Sequence, residues 1–169
     1  MNIIPAATEY APYYSTYIAK VDGDVLELMS QQTDILSSIV EENEDRLDFA
    51  YAEGKWTIRQ VIMHIADTEQ IFAYRALRIA RADQTPLPGF DQNDYIAMTN
   101  FDHLNAGDLI RIVENQRANT FSFINGLSKD AYGMTGTASG HKVSVRALIY
   151  MMAGHMKHHI DILNERYTS

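Results

Sequence analysis

Thr57-Ile58-Arg59-Gln60-Val61-Ile62-Met63-His64-Ile65 opens a helix and fixes the face it buries. Thr57 followed by Gln60 is a capping box, in which a hydroxyl and an amide side chain satisfy each other's backbone N–H groups. Ile58, Val61, Ile62, Ile65, Phe72, Ala76 and Ile79 then recur at intervals of three, four and seven, an apolar stripe of helical period. The run Pro86-Leu87-Pro88-Gly89 cannot continue that helix.

The same period appears on either side. Val25, Leu28, Met29, Gln32, Ile35, Leu36, Ile39 and Val40 mark a helix from about Asp22 to Glu42, with Asp22 and Asp24 offering oxygens to its first amides. Upstream, Tyr10, Tyr13, Tyr14 and Tyr17 read as a short helical arm packed down on the rest. Pro86–Asn105 is a long connection with one short helix near Asp91–Met98, and connections of that length often carry function or cross a bundle. A third long helix starts at Asn105, with Asp108 at its third position, and carries Leu109, Ile112, Val113, Gln116, Phe121 (or Thr120) and Ile124 inward. A loop rich in Gly, Ser and Thr, Ser128–Lys142, leads to a fourth helix capped by Ser144 and reaching about Arg166. No run alternates as a strand does. Four amphipathic helices with one long crossover predict an all-α four-helix bundle, one domain over residues 1–169 with 1–20 as the arm.

Composition narrows the chemistry. With no cysteine, thiolate nucleophiles, iron–sulfur clusters and disulfides are excluded, so a metal would be held by imidazole and oxygen. Fourteen Lys and Arg against 22 Asp and Glu, a net charge of −8, argue against nucleic acid as a partner. Arg75, Arg78 and Arg81 form the nearest thing to a basic cluster, read as a solvated or interface stripe. No apolar run is long enough to span a membrane, and the N-terminus lacks the regions of a secretory signal, so a cytoplasmic location is expected.

The histidines carry the functional signal. His155 and His159 are four apart and His155 and His158 three apart, and either spacing places two imidazoles on one helical face. The same spacing also suits a helix end whose histidines complement the negative end of the dipole. A helical wheel puts His155 and His159 at the margin of the apolar face and His158 on the outer side. His64 flanks the stripe of its own helix, and a bundle that sets these two helices side by side can complete a three-histidine site. Three protein ligands with open positions are the pattern of a catalytic rather than a closed structural metal. Asp67, three residues after His64, is a candidate to orient that ring, against the plainer reading of a solvated face. His141, in the glycine-rich loop, reads as a surface residue or a substrate contact, and His103 as structural. The pocket is expected between the loops Pro86–Asn100 and Ser128–Lys142.

The order of these motifs resembles the DinB-like superfamily, and within it the YfiT-like proteins. The resemblance is carried by Lys55-Trp56-Thr57 through Glu69, by Phe72-Ala73-Tyr74-Arg75, Gly89-Phe90-Asp91 and Ser144-Val145-Arg146-Ala147-Leu148, and by Ala153-Gly154-His155-Met156-Lys157-His158-His159 with Arg166-Tyr167. It implies a four-helix bundle holding one divalent ion, nickel or zinc, on His64, His155 and His159. It implies a homodimer too. Relatives of this kind include metal-dependent hydrolases named on thin grounds and S-transferases or isomerases that use a low-molecular-weight thiol as cosubstrate. The expectation is therefore a metal-dependent enzyme acting on small molecules, by thiol transfer or by hydrolysis, with His141 and Tyr74 as candidate substrate contacts. The alternative is a non-catalytic metal-binding or stress-related module.

Overall fold

The computed structural model describes residues 3–167. Four long helices form the bundle: α2 (Val25–Glu42), α3 (Ile58–Ala80), α5 (Ala106–Asn125) and α6 (Val145–Arg166). Two short helices, α1 (Ser15–Ile18) and α4 (Gln92–Met98), lie outside it. Each long helix begins where its sequence says. Asp24 accepts from the amides of Leu26 and Glu27. Thr57 and Gln60, and Asn105 and Asp108, form reciprocal capping boxes. Ser144 accepts from the amide of Ala147. These caps satisfy amides that a helix start otherwise leaves unbonded.

The order of the helices in space is not their order in sequence. α3 packs on α5 and α6, and α2 packs on the same two, so α2 and α3 face each other across one diagonal and α5 and α6 across the other. Histidines on α3 and α6 are therefore on adjacent helices.

One buried arginine ties all four together. Arg117 of α5, 2 % exposed, grips the carboxylate of Glu69 on α3 through Nε (2.9 Å) and Nη2 (2.7 Å). It also donates to the Met29 carbonyl of α2 and to the Met156 sulfur of α6. One turn further along the same two helices, the amide of Gln32 on α2 donates to the Ala153 carbonyl of α6 at 2.8 Å.

Two features depart from the sequence reading. The loop before α6 contains an antiparallel hairpin, β1 (Thr135–Ala138) and β2 (His141–Ser144). Its two-residue turn, Ser139-Gly140, has positive φ at both positions, the geometry whose twist matches paired strands. Four-residue strands containing Thr and Gly are too short to show alternation. The hairpin lies so close to α3 that a Cβ at Gly136 would stand 2.7 Å from Ile79. Leu87 extends the hairpin, donating to Thr137 and accepting from Ser139, and this fixes the Pro88-Gly89-Phe90 segment beside it. Second, Arg75 is not part of an exposed stripe. It is 3 % exposed and bonds to the Pro88 carbonyl and to Ser139, whereas Arg78 pairs at the surface with Asp83.

The described part of the N-terminal segment forms two 3-10 turns and α1. Glu9 is its anchor, accepting from Ser144 (2.7 Å) and from Arg146, which hold its pKa down to about 2. No helix of the described residues is long and apolar enough to cross a membrane.

Candidate metal centre

His64 projects from α3, and His155 and His159 from successive turns of α6, toward one point. The Nε2 of His155 lies 2.9 Å from that of His64 and 3.1 Å from that of His159. All three rings are buried, at 3 %, 4 % and 8 % exposure for His64, His155 and His159.

Hydrogen bonding alone does not account for this arrangement. An imidazole nitrogen either carries a proton or offers a lone pair. His155 Nε2 faces two other Nε2 atoms, and its one proton or its one lone pair would have to be split between them. Three lone pairs turned to one cation remove the conflict. A tetrahedral zinc-like ion sets its nitrogen ligands about 3.3 Å apart, a few tenths of an ångström more than the two short separations at His155, and the ligand atoms of all three rings lie within 4.8 Å of one another.

Burial also prepares the rings electrostatically. Desolvation, with the neighbouring His158, pushes His64 down to about 4, and desolvation carries His155 and His159 well below the ordinary imidazole value. All three are neutral at pH 7, the form a metal requires.

The surroundings hold the rings in place. Thr68 Oγ1 lies 3.4 Å from His64 Nδ1, one helical turn on. The neighbouring Asp67 instead lines surface recesses with Gln70, and Glu69 is committed to Arg117, so the orienting group is the threonine. Trp56 tilts over His64 with ring centres 4.8 Å apart. Tyr17 stands edge-on to His155 at 5.4 Å. His159 Nδ1 is buried without a partner.

A cavity of about 390 Å³ opens at His155. Its wall includes Gly89, Phe90 and Gln92 from the long connection and Ser139 from the hairpin turn, the two loops expected from the sequence. Tyr13, Tyr14, Thr16 and Tyr17 close another side, a contribution of the arm that no local pattern announces. Thr68 and Phe72 complete the wall, which has no carboxylate and no lysine.

The other expected residues lie apart. His158 packs against Tyr17 and His159 from the outer side. His141 is exposed, edge-on to Tyr13. Tyr74 is half exposed and lines a neighbouring recess with Tyr95. His103 is exposed in a turn before α5 rather than structural.

The family model of the DinB superfamily matches residues 27–163. The chain belongs to the DinB superfamily. This DinB protein is 29 % identical over 120 residues to one from Oceanobacillus iheyensis named "Putative metal-dependent hydrolase", covering 70 % of this chain and 68 % of that one. A Bacillus licheniformis protein of the same name is 27 % identical over 129 residues, covering 73 % of this chain and 72 % of its own. Among solved structures, YfiT from Bacillus subtilis, described as having "an unusual four-helix bundle topology", superposes with a TM-score of 0.75 at 16 % identity, over 95 % of this chain and 89 % of that one. A mycothiol-dependent maleylpyruvate isomerase superposes with a TM-score of 0.67 at 21 % identity, over 81 % of this chain and 58 % of that one. These two likenesses establish the shared fold. The diagonal placement of α2 and α3 is the form it takes here.

Proposed function

We propose that this protein is a metal-dependent enzyme acting on small molecules, with His64, His155 and His159 as the ligands of one divalent ion, zinc or nickel. The observation that carries the reading is the convergence of three neutral imidazoles at the end of a cavity of small-molecule size. An ion there supplies Lewis acidity to a water or a thiol that reaches it. The protein's own part is to hold the ligands neutral, to orient His64 through Thr68, and to keep the substrate among aromatic walls.

Between transfer and hydrolysis, the cavity favours transfer. Hydrolysis gains from a general base within hydrogen-bond reach of the attacking water, and no carboxylate lines this cavity. A small thiol cosubstrate brings its own nucleophile, in keeping with a chain that has no cysteine. The names of the relatives support hydrolysis as the second reading. Tyr74 and His141 are not on the cavity wall, and substrate contact falls instead to Tyr14, Tyr17 and Ser139. A homodimer in the cytoplasm belongs to the same proposal.

Elemental analysis of the purified protein beside a His155→Ala/His159→Ala variant tests the ligand set. One ion per native chain, lost in the variant, supports it; no uptake by the native protein after incubation with zinc and nickel sinks it. Screening the loaded protein for thiol adduct formation and for ester and amide hydrolysis then separates the two reactions.

A further inference from the structure

Three arginines of the described residues have buried side chains: Arg59, Arg75 and Arg117. Arg59 pairs with Asp48 and Arg117 with Glu69. Arg75 meets no carboxylate. Its partners include the Pro88 carbonyl at 2.7 Å and Ser139 Oγ at 3.1 Å, both reached from Nη2, the Tyr14 hydroxyl, and the faces of Phe72 and Phe90 at 5.9 and 5.8 Å.

A buried charge without a countercharge costs several kcal/mol. Neutral acceptors and aromatic faces offset part of that cost. The Tyr14 hydroxyl lies beside the guanidinium as a further neutral partner, and a guanidinium presents its donors in the fork that fits a carboxylate or phosphate.

The place of this cation gives it a role. Ser139, Phe72 and Phe90 all line the cavity that ends at His155. Arg75 itself lines an adjoining recess of about 200 Å³ that shares Gly89 and Phe90 with that cavity. The segment carrying Pro88 and the turn carrying Ser139 are hydrogen-bonded to each other through Leu87. The guanidinium is thus held at a fixed site, at the side of the cavity formed by the two loops.

We infer that Arg75 is the anion-binding residue of this site, and that its ligand carries a carboxylate or a comparably compact oxyanion against Arg75 and Ser139, with an apolar body on Phe72 and Phe90. The inference rests on the proposed function for the direction of the ligand, whose reacting group points to His155, but not for the anion contact itself. It narrows the substrate, or the thiol cosubstrate, to an organic acid in a protein whose net charge of −8 does nothing to attract one.

The test uses the whole protein, metal-free and nickel-loaded, titrated calorimetrically with benzoate, with its uncharged counterpart benzamide, and with inorganic phosphate. The native protein binds benzoate at least tenfold more tightly than benzamide, Arg75→Gln loses that preference, and Arg75→Lys keeps part of it. Preference for benzoate over phosphate identifies an organic carboxylate; preference for phosphate identifies a phosphorylated ligand, and both uphold the anion site. Equal binding of benzoate and benzamide by the native protein overturns the inference whether or not the variants fold. So does an equal loss of both ligands in Arg75→Gln, the result of a purely structural latch. Nickel uptake without anion preference leaves the metal reading standing, and anion preference without nickel uptake overturns the metal reading alone.

Discussion

Gly154 of α6 lies directly against the carbonyl of Tyr17, so close that a Cβ at this position would stand 2.0 Å from the oxygen and 2.5 Å from the carbonyl carbon. The contact is backbone to backbone, and no rotamer can relieve it. It brings α1 onto α6 beside the three-histidine cluster, where Tyr17 meets His155 and His158. A glycine inside a helix costs about 0.5–1 kcal/mol relative to alanine; here it permits an approach that shapes the cavity.

Gly154→Ala is therefore expected to destabilise the protein although it improves local helix propensity. Overpacking of this kind costs about 1–3 kcal/mol, a fall in melting temperature of roughly 2–12 °C for a chain of this size. The arm should become the first site of proteolytic cleavage. A Tm equal to or above that of the native protein would show that α1 is not held against Gly154.

The Glu69–Arg117 pair predicts an asymmetry. Glu69→Gln leaves a buried guanidinium without its countercharge and is expected to cost about 3–5 kcal/mol. Replacing both residues, Glu69→Leu with Arg117→Met, should cost less than Glu69→Gln alone, since no charge is then stranded. Chemical denaturation of the two variants checks the order; a double variant less stable than the single one contradicts it.

How much of this was legible follows from range. The caps at Asp24, Thr57, Asn105 and Ser144 depend on residues three apart or fewer; the last three are where the sequence places them, and Asp24 is one of the two candidates it offers, with Asp22. The pairing of His155 with His159 is equally local. Thr68 could have been found from its i, i+4 spacing to His64, in place of Asp67. Gly154, an isolated glycine in a helical pattern, was a signal of close packing that the sequence reading passed over. Arg75 and Arg117 were not legible, because nothing local distinguishes an arginine bound for the surface from one whose partners lie 13 to 88 residues away. The same holds for Tyr17, which reaches His155 only through the fold.

The buried imidazoles make the metal-free protein sensitive to mild acid. A histidine whose folded pKa is depressed stays neutral while the unfolded chain takes up a proton, so stability falls as pH drops below the ordinary value of 6.5 and continues to fall toward the folded value, about 4 for His64. The loss from His64 alone is about 2–3 kcal/mol, and His155 and His159 add to it in the same direction. Urea denaturation of metal-free protein between pH 7 and 4 should show this slope, shallower in His64→Gln. An unchanged slope in that variant would mean that His64 is already protonated in the fold.

Glu9 acts in a lower window. Its folded pKa lies near 2, against 4.5 for a free carboxyl, so its contribution is complete above pH 4.5 and is lost as pH falls toward 2. About 1–2 kcal/mol is at stake once solvent beside the partly exposed Arg146 is allowed for. Glu9→Gln should remove this acid-dependent loss below pH 4.5 and leave the slope between pH 6.5 and 4.5 untouched; a change in the upper window would assign the arm's anchoring to another group.

Trp56 is the single tryptophan of the chain, and its ring centre lies 4.8 Å from that of His64. It is a built-in reporter of the site. Nickel and copper quench indole fluorescence at contact, whereas zinc has a filled d shell and does not. Titrating the native protein should give quenching that saturates at one equivalent of nickel, with zinc competing the signal back. His64→Ala should abolish the saturable phase while His103→Ala, exposed and remote in the chain, leaves it intact. Quenching that stays linear in nickel would show collision with a surface tryptophan, and an unchanged saturable phase in His64→Ala would place the ion elsewhere.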